Sequence, residues 1–261
     1  MPDDSLDCLW GPILHGVKHV SFELGTECNL AKQHAECPIL QPSRWPETRL
    51  GPITVSDILS TIDDAVELGF KGFIGFHYYN EPLLNQDTIR EVIGASSYGR
   101  FVLWTNGLLL SRRVEDNEIL RLFEWVVISD YFPERNAEWL AALKGHYCDV
   151  RVDSFHATFD QRLKNYDAPS HASVQCWRQR LEIPIDHFGN VHLCCQDWRG
   201  SVGLGNIKTA PLHEILSDQA YVQMVAALCA GSKKAPPICR TCTNPIDRET
   251  YLEACAGFSA D

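Results

Sequence analysis

Strand-like and helix-like segments alternate through the first two thirds of the chain. HVSFELGT (19–26) is an apolar, β-branched run, and VSDILSTIDDAVELGF (55–70) places Ile58, Ile62, Val66 and Leu68 near the helical period, with Ser56 or Asp57 as N-cap. KGFIGFHYY then has strand character and QDTIREVIGAS helical character. RFVLWT, NEILRLFEW, WVVISDY, AEWLAALKG and YCDVRVDSF continue the alternation. About five to six such βα units predict an α/β fold, a parallel sheet or partial (β/α) barrel with its helices outside. Sheets of this kind carry their chemistry on loops at the C-terminal ends of the strands. Three polar segments fall at that edge: the loop ELGTECNLAKQHAECP (23–38), NEPLL and TNG.

The pattern changes beyond residue 166, which divides the chain into a barrel domain (15–166) and a smaller C-terminal domain (167–261). EIPIDHFGNVHLCCQD reads as a hairpin turning at Gly189 and Asn190, and APLHEILSDQAYVQMVAALCAG as one helix or two. Cys176, Cys194, Cys239 and Cys242 stand around these elements, the last two on the tight turn ICRTC. So short a segment has little core of its own, so a metal staple is expected. By spacing alone, four thiolates suit zinc as well as an iron-sulfur cluster.

Composition narrows the setting. The start, MPDDSLDCLW, is acidic and lacks the charged-then-apolar pattern of a secretory signal. No run approaches the ~18 apolar residues of a membrane span. A cytoplasmic protein without a membrane partner is expected, and in that reducing setting eleven cysteines point to metal binding or chemistry before disulfides. The net charge of -11 argues against nucleic acid and suits a neutral or basic small substrate.

In order along the chain stand a cysteine loop after the first strand, GFHYYNEPLL after the second, TNG after the third, then GNVHLCCQD, LGNI and a closing CxxC. This series resembles the radical S-adenosylmethionine enzymes with a C-terminal SPASM or Twitch extension. In size and layout the chain is most similar to the short sugar and aminocyclitol enzymes of antibiotic pathways. The resemblance implies two [4Fe-4S] clusters and S-adenosylmethionine, cleaved reductively to a 5'-deoxyadenosyl radical that takes hydrogen from a carbon of a sugar, aminocyclitol or nucleoside. The outcome would be epimerisation or dehydrogenation, with electrons from a donor such as flavodoxin or ferredoxin. A peptide-modifying maturase is the alternative within the family, although the chain leaves little room for a leader-binding domain before its first strand. A non-catalytic iron-sulfur or zinc protein is the alternative outside it.

The family's CxxxCxxC is not intact. Counting from Cys28, Lys32 and Ala35 occupy the second and third positions; aligning Cys37-Pro38 with the third cysteine instead leaves His34 in the second place. The implied ligands are then Cys28, His34 and Cys37, or else the site is degenerate and His34 only a loop residue. Glu81, preceded by Asn80 where the family has glycine, resembles the glutamate that accepts the cofactor's amino group. Thr105 and Asn106 resemble its polar contacts, or else they form a capped turn with Gly107 at positive φ. The auxiliary cluster would take Cys176, Cys194, Cys239 and Cys242, with Cys194 preferred over Cys195. Among the remaining cysteines (Cys8, Cys148, Cys195, Cys229 and Cys255), most are expected to be buried apolar residues. Cys195 and Cys255 are candidates for a thiol that returns hydrogen in an epimerase. His77, His156 and His192 are expected to be structural, Tyr78 and Tyr79 to wall or pack the pocket, and Arg151 and Asp153 to form an internal ion pair.

Overall fold

The computed structural model describes residues 14, 16–31, 37–41, 50–147, 149–154 and 170–256. Its centre is a sheet of six parallel strands: β1 (His19–Phe22), β2 (Phe73–Phe76), β3 (Phe101–Thr105), β4 (Trp125–Asp130), β5 (Val150–Ser154) and β6 (Glu182–Ile185), in the order β5-β4-β3-β2-β1-β6. The helices α1 (Val55–Glu67), α2 (Gln86–Ala95) and α3 (Pro133–His146) lie between strands in sequence. Val20, Phe22, Ile74, Phe76, Leu103 and Ile128 meet Ile58, Ile62 and Ile89 in one apolar core. Alternation along each strand turns the intervening side chains to the opposite face.

The α1 cap lies upstream of Ser56 and Asp57, the residues read as caps from sequence. Thr54 Oγ1 accepts from Asp57 N at 3.2 Å while Asp57 Oδ2 accepts from Thr54 N at 2.8 Å, a reciprocal capping box with Asp57 at its third position. NEILRLFEW makes only a short 3-10 turn (Glu118–Leu122). Asn117, almost fully buried, accounts for this: its amide bonds Ser111 N and the carbonyls of Ser111 and Val114, winding the segment into a compact loop.

β6 lies beyond the boundary expected at 166–167, yet it pairs in parallel with β1, Glu182 opposite His19 and Ile185 opposite Phe22. Ile185 also bridges Val191 antiparallel around a turn at Gly189 (φ 88°). The expected hairpin is therefore short, and its first strand belongs to the main sheet. Two helices follow, α4 (Leu212–Ser217) and α5 (Gln219–Ala230), separated at Asp218, whose carboxylate caps Ala220 N at 2.8 Å. Short helices α6 (Pro237–Thr241) and α7 (Arg248–Ala256) complete the described chain. No described helix is long and apolar enough to cross a membrane.

The face of the sheet away from the helical core is aromatic. Trp104 meets Trp125 edge-on at 4.9 Å, His19 at 5.1 Å and His77 at 4.7 Å between ring centres. Arg151 lies over Trp125 at 5.0 Å, where an ion pair with Asp153 was expected. Gly75 makes room for this layer, since a Cβ there would stand 3.0 Å from both Ser21 Oγ and a Trp104 ring carbon. Gly75→Ala is expected to cost about 1–3 kcal/mol through overpacking, read as a lowered melting temperature.

Candidate functional site

Glu81 joins the three loops at the C-terminal edge. It follows β2 and is 2 % exposed. Oε1 accepts from Thr105 Oγ1 at 2.6 Å and Leu83 N at 3.1 Å, and Oε2 accepts from Asn106 N at 2.8 Å. Its own amide donates to Glu27 O in the cysteine loop at 3.1 Å. Asn106 Nδ2 then donates to Asn29 Oδ1 at 2.6 Å and approaches Cys28 Sγ at 3.8 Å. NEPLL, TNG and the Cys28 loop are thus one hydrogen-bonded unit, and Gly107 takes φ 72° to close the TNG turn. Burial pushes the Glu81 carboxyl above the usual range, against the bonds from Thr105, Asn106 and Leu83.

Asn80 is nine-tenths buried, yet neither its amide nitrogen nor its oxygen has a hydrogen-bond partner among the described residues. Orphaned buried amides are costly. A side chain kept this way beside Glu81 fits a small polar ligand bearing donors and acceptors, as S-adenosylmethionine does.

Cys28 and Cys37 come together with Tyr78, Tyr79, Trp198 and Cys195 in a second packed cluster. Leu30 N donates to Cys28 Sγ at 3.4 Å. His34, Cys8, Cys148 and His156 lie outside the described residues, and so does the side chain of Cys255. The two tyrosines face the C-terminal domain: Tyr78 OH donates to Asp197 O at 3.2 Å and Tyr79 OH to Cys195 O. Tyr78 holds φ 143°, an uncommon backbone for a bulky residue.

Cys176, Cys194, Cys239 and Cys242 line one cavity with Arg178, Gln179, Leu193 and Asn244. Four thiols around one pocket are the donor set of an iron-sulfur cluster or of a metal ion. Backbone amides already reach two of them, Ile246 N to Cys176 Sγ and Asn244 N to Cys242 Sγ, each at 3.4 Å. Burial pushes Cys194 well up and Cys239 to about 12, so these thiols stay protonated until a metal's charge displaces their protons. Cys195 is not among the cavity's lining residues; its sulfur meets Arg178 Nη1 at 3.8 Å and Gln196 Nε2 at 3.6 Å.

The sequence reading had His192 as structural. Its ring is buried between Asp186 Oδ2 at 3.1 Å and Asp197 O at 2.9 Å. It did not single out Arg178, Asp186 or Trp198. Only Arg178 carried a usable signal, namely a cation two residues after Cys176 of the expected cluster set.

Residues 176–243 match the model of SPASM, an iron-sulfur cluster-binding domain. The S-adenosyl-L-methionine-dependent 2-deoxy-scyllo-inosamine dehydrogenase of Niallia circulans is 22 % identical over 241 residues, 86 % of this chain and 92 % of that protein. The crystal structure of BtrN in complex with AdoMet and 2-DOIA aligns with a TM-score of 0.62 at 19 % identity, over 87 % of this chain and 93 % of that one. BtrN in an open conformation aligns with a TM-score of 0.59 at 18 % identity, over 90 % and 97 %. The fold is shared with both.

Proposed function

We propose that this chain, a radical S-adenosylmethionine enzyme with a C-terminal SPASM domain, is a dehydrogenase that oxidises a hydroxyl-bearing carbon of a small sugar or aminocyclitol. The observation that carries the choice of oxidation is the cavity lined by Cys176, Cys194, Cys239 and Cys242, which suits a cluster able to accept an electron. The similarity over most of its length to an aminocyclitol dehydrogenase supports the substrate class.

When bound, S-adenosylmethionine and a cluster at Cys28 and Cys37 would supply hydrogen-atom abstraction, and a cluster at Cys176, Cys194, Cys239 and Cys242 would supply an electron acceptor. The chain's own groups hold and orient. Cys28 and Cys37, with His34 completing the set, are the first cluster's ligands. Glu81, Thr105, Asn106 and the orphaned Asn80 amide form the polar cradle for S-adenosylmethionine beside them. Glu81 is already fixed by three donors, so it meets the ligand without rearrangement. Trp104, Trp125 and His77 form an aromatic wall on the sheet's other face. A one-electron donor of the flavodoxin or ferredoxin class and a cytoplasmic setting complete the proposal.

Epimerisation is the second reading. The packing of Cys195 beside Cys28, Tyr78 and Tyr79 favours it, because a thiol there stands near the first site. Isotope analysis separates the two. A dehydrogenase product is two hydrogens lighter than the substrate and carries no label from deuterated water. A product of unchanged composition with one deuterium, lost in Cys195→Ala, would establish epimerisation instead.

A further inference from the structure

The residues that line the four-cysteine cavity include a single cation, Arg178. It is held at both ends of its guanidinium: Nη2 donates to Asn244 O at 3.0 Å, beside the Cys242 turn, and Nη1 reaches Cys195 Sγ at 3.8 Å. Its Nε is buried and has no hydrogen-bond partner among the described residues. The other charged lining residue, Asp197, is already engaged: Oδ1 accepts from Ser201 N and Oγ, and Oδ2 from Val202 N. Glu182 accepts from Cys195 N at 2.8 Å on the neighbouring strand. A guanidinium cannot shed its charge in a protein.

We propose that Arg178 is a positioning residue that sets the reduction potential of the cluster held by Cys176, Cys194, Cys239 and Cys242. Its fixed charge and spare Nε–H stabilise the reduced, more negative cluster, which raises the potential. Cluster potentials respond to net charge and to hydrogen bonds at sulfur, so both effects act in the same direction. During oxidation the substrate-derived radical loses its hydroxyl proton and one electron. A cluster held by the four cysteines would be the acceptor of that electron, and an external one-electron acceptor would take it on. A higher potential favours the transfer. Arg178 touches neither substrate nor S-adenosylmethionine in this role. The inference rests on the reading that the cavity holds an iron-sulfur cluster.

The test uses the full chain carrying Cys28→Ala and Cys37→Ala, so that one cluster contributes to the spectrum. Iron, sulfide and zinc are counted, and the midpoint potential is read by titration followed with electron paramagnetic resonance. Arg178→Gln is expected to lower the reduction equilibrium at least tenfold, or 59 mV for one electron. Arg178→Lys keeps the charge and is expected to lose less. A Gln variant with a full cluster at the parent's potential would overturn the inference. A parent that holds zinc and no sulfide overturns the cluster reading itself, and the inference with it. Where Arg178→Gln fails to retain the cluster, Glu182→Gln decides. Removing that neighbouring negative charge should raise the potential, and no change would count against a charge-set potential.

Discussion

Replacing Cys194 with alanine is expected to cut the iron of a fully reconstituted chain from about eight atoms to about four, since each [4Fe-4S] cube contributes four. Cys195→Ala should leave about eight. The neighbouring thiols differ in what surrounds them: Cys194 lines the cavity with Cys176, Cys239 and Cys242, whereas Cys195 packs toward Cys28 and Tyr79. Iron and sulfide analysis with electron paramagnetic resonance reads the difference directly. Cofactor cleavage should persist in Cys194→Ala, because the first site keeps its ligands, while product formation is lost. Equal iron loss in both variants would mean that the cluster draws on either thiol.

Glu81→Gln is expected to lower 5'-deoxyadenosine formation by ~10²-fold or more, the scale of loss when a reacting group is misplaced by about an ångström. The carboxylate accepts on both oxygens, and an amide nitrogen in place of either would face a donor, Asn106 N or Leu83 N. A buried donor left in that way costs about 1–3 kcal/mol, so the folded state weakens as well. The pH dependence fixes the assignment. Burial raises the folded-state pKa of Glu81 above its unfolded value. The folded state therefore holds the proton more tightly, and this contribution to stability is complete below the unfolded pKa and lost as pH rises through the folded one. Urea unfolding from the usual glutamate range upward should show that loss in the parent chain and not in Glu81→Gln.

The alternation of apolar runs and amphipathic segments was enough to read the parallel sheet and α1, α2 and α3, because one face of each element packs into a shared core. The convergence of Cys28, Glu81 and Asn106 was legible for the same reason: parallel strands with crossover helices bring their C-terminal loops to one edge. What escaped was set by single hydrogen bonds. Nothing in NEILRLFEW reveals that the Asn117 amide will wind the segment into a loop. Ser56 or Asp57 was the expected cap of α1, and the reciprocal bond between Thr54 and Asp57 sets it upstream of both. β6 was hidden differently. EIPI is short, and its partner β1 lies at the far end of the sequence, so local pattern carries no record of their pairing.

That pairing sets an order of assembly. β1 leaves the ribosome early, and its β6 edge stays open until the segment through Ile185 has been made. During that interval the nascent chain exposes an unpaired strand edge beside the loop that carries Cys28, open both to aggregation and to premature metal. Once β6 docks, the strand leading to Cys28 and the strand leading to Cys194 run side by side, and Tyr78 and Tyr79 fasten the later loop over the earlier one. A chain stalled before Ile185 keeps that edge open and should appear as aggregated protein.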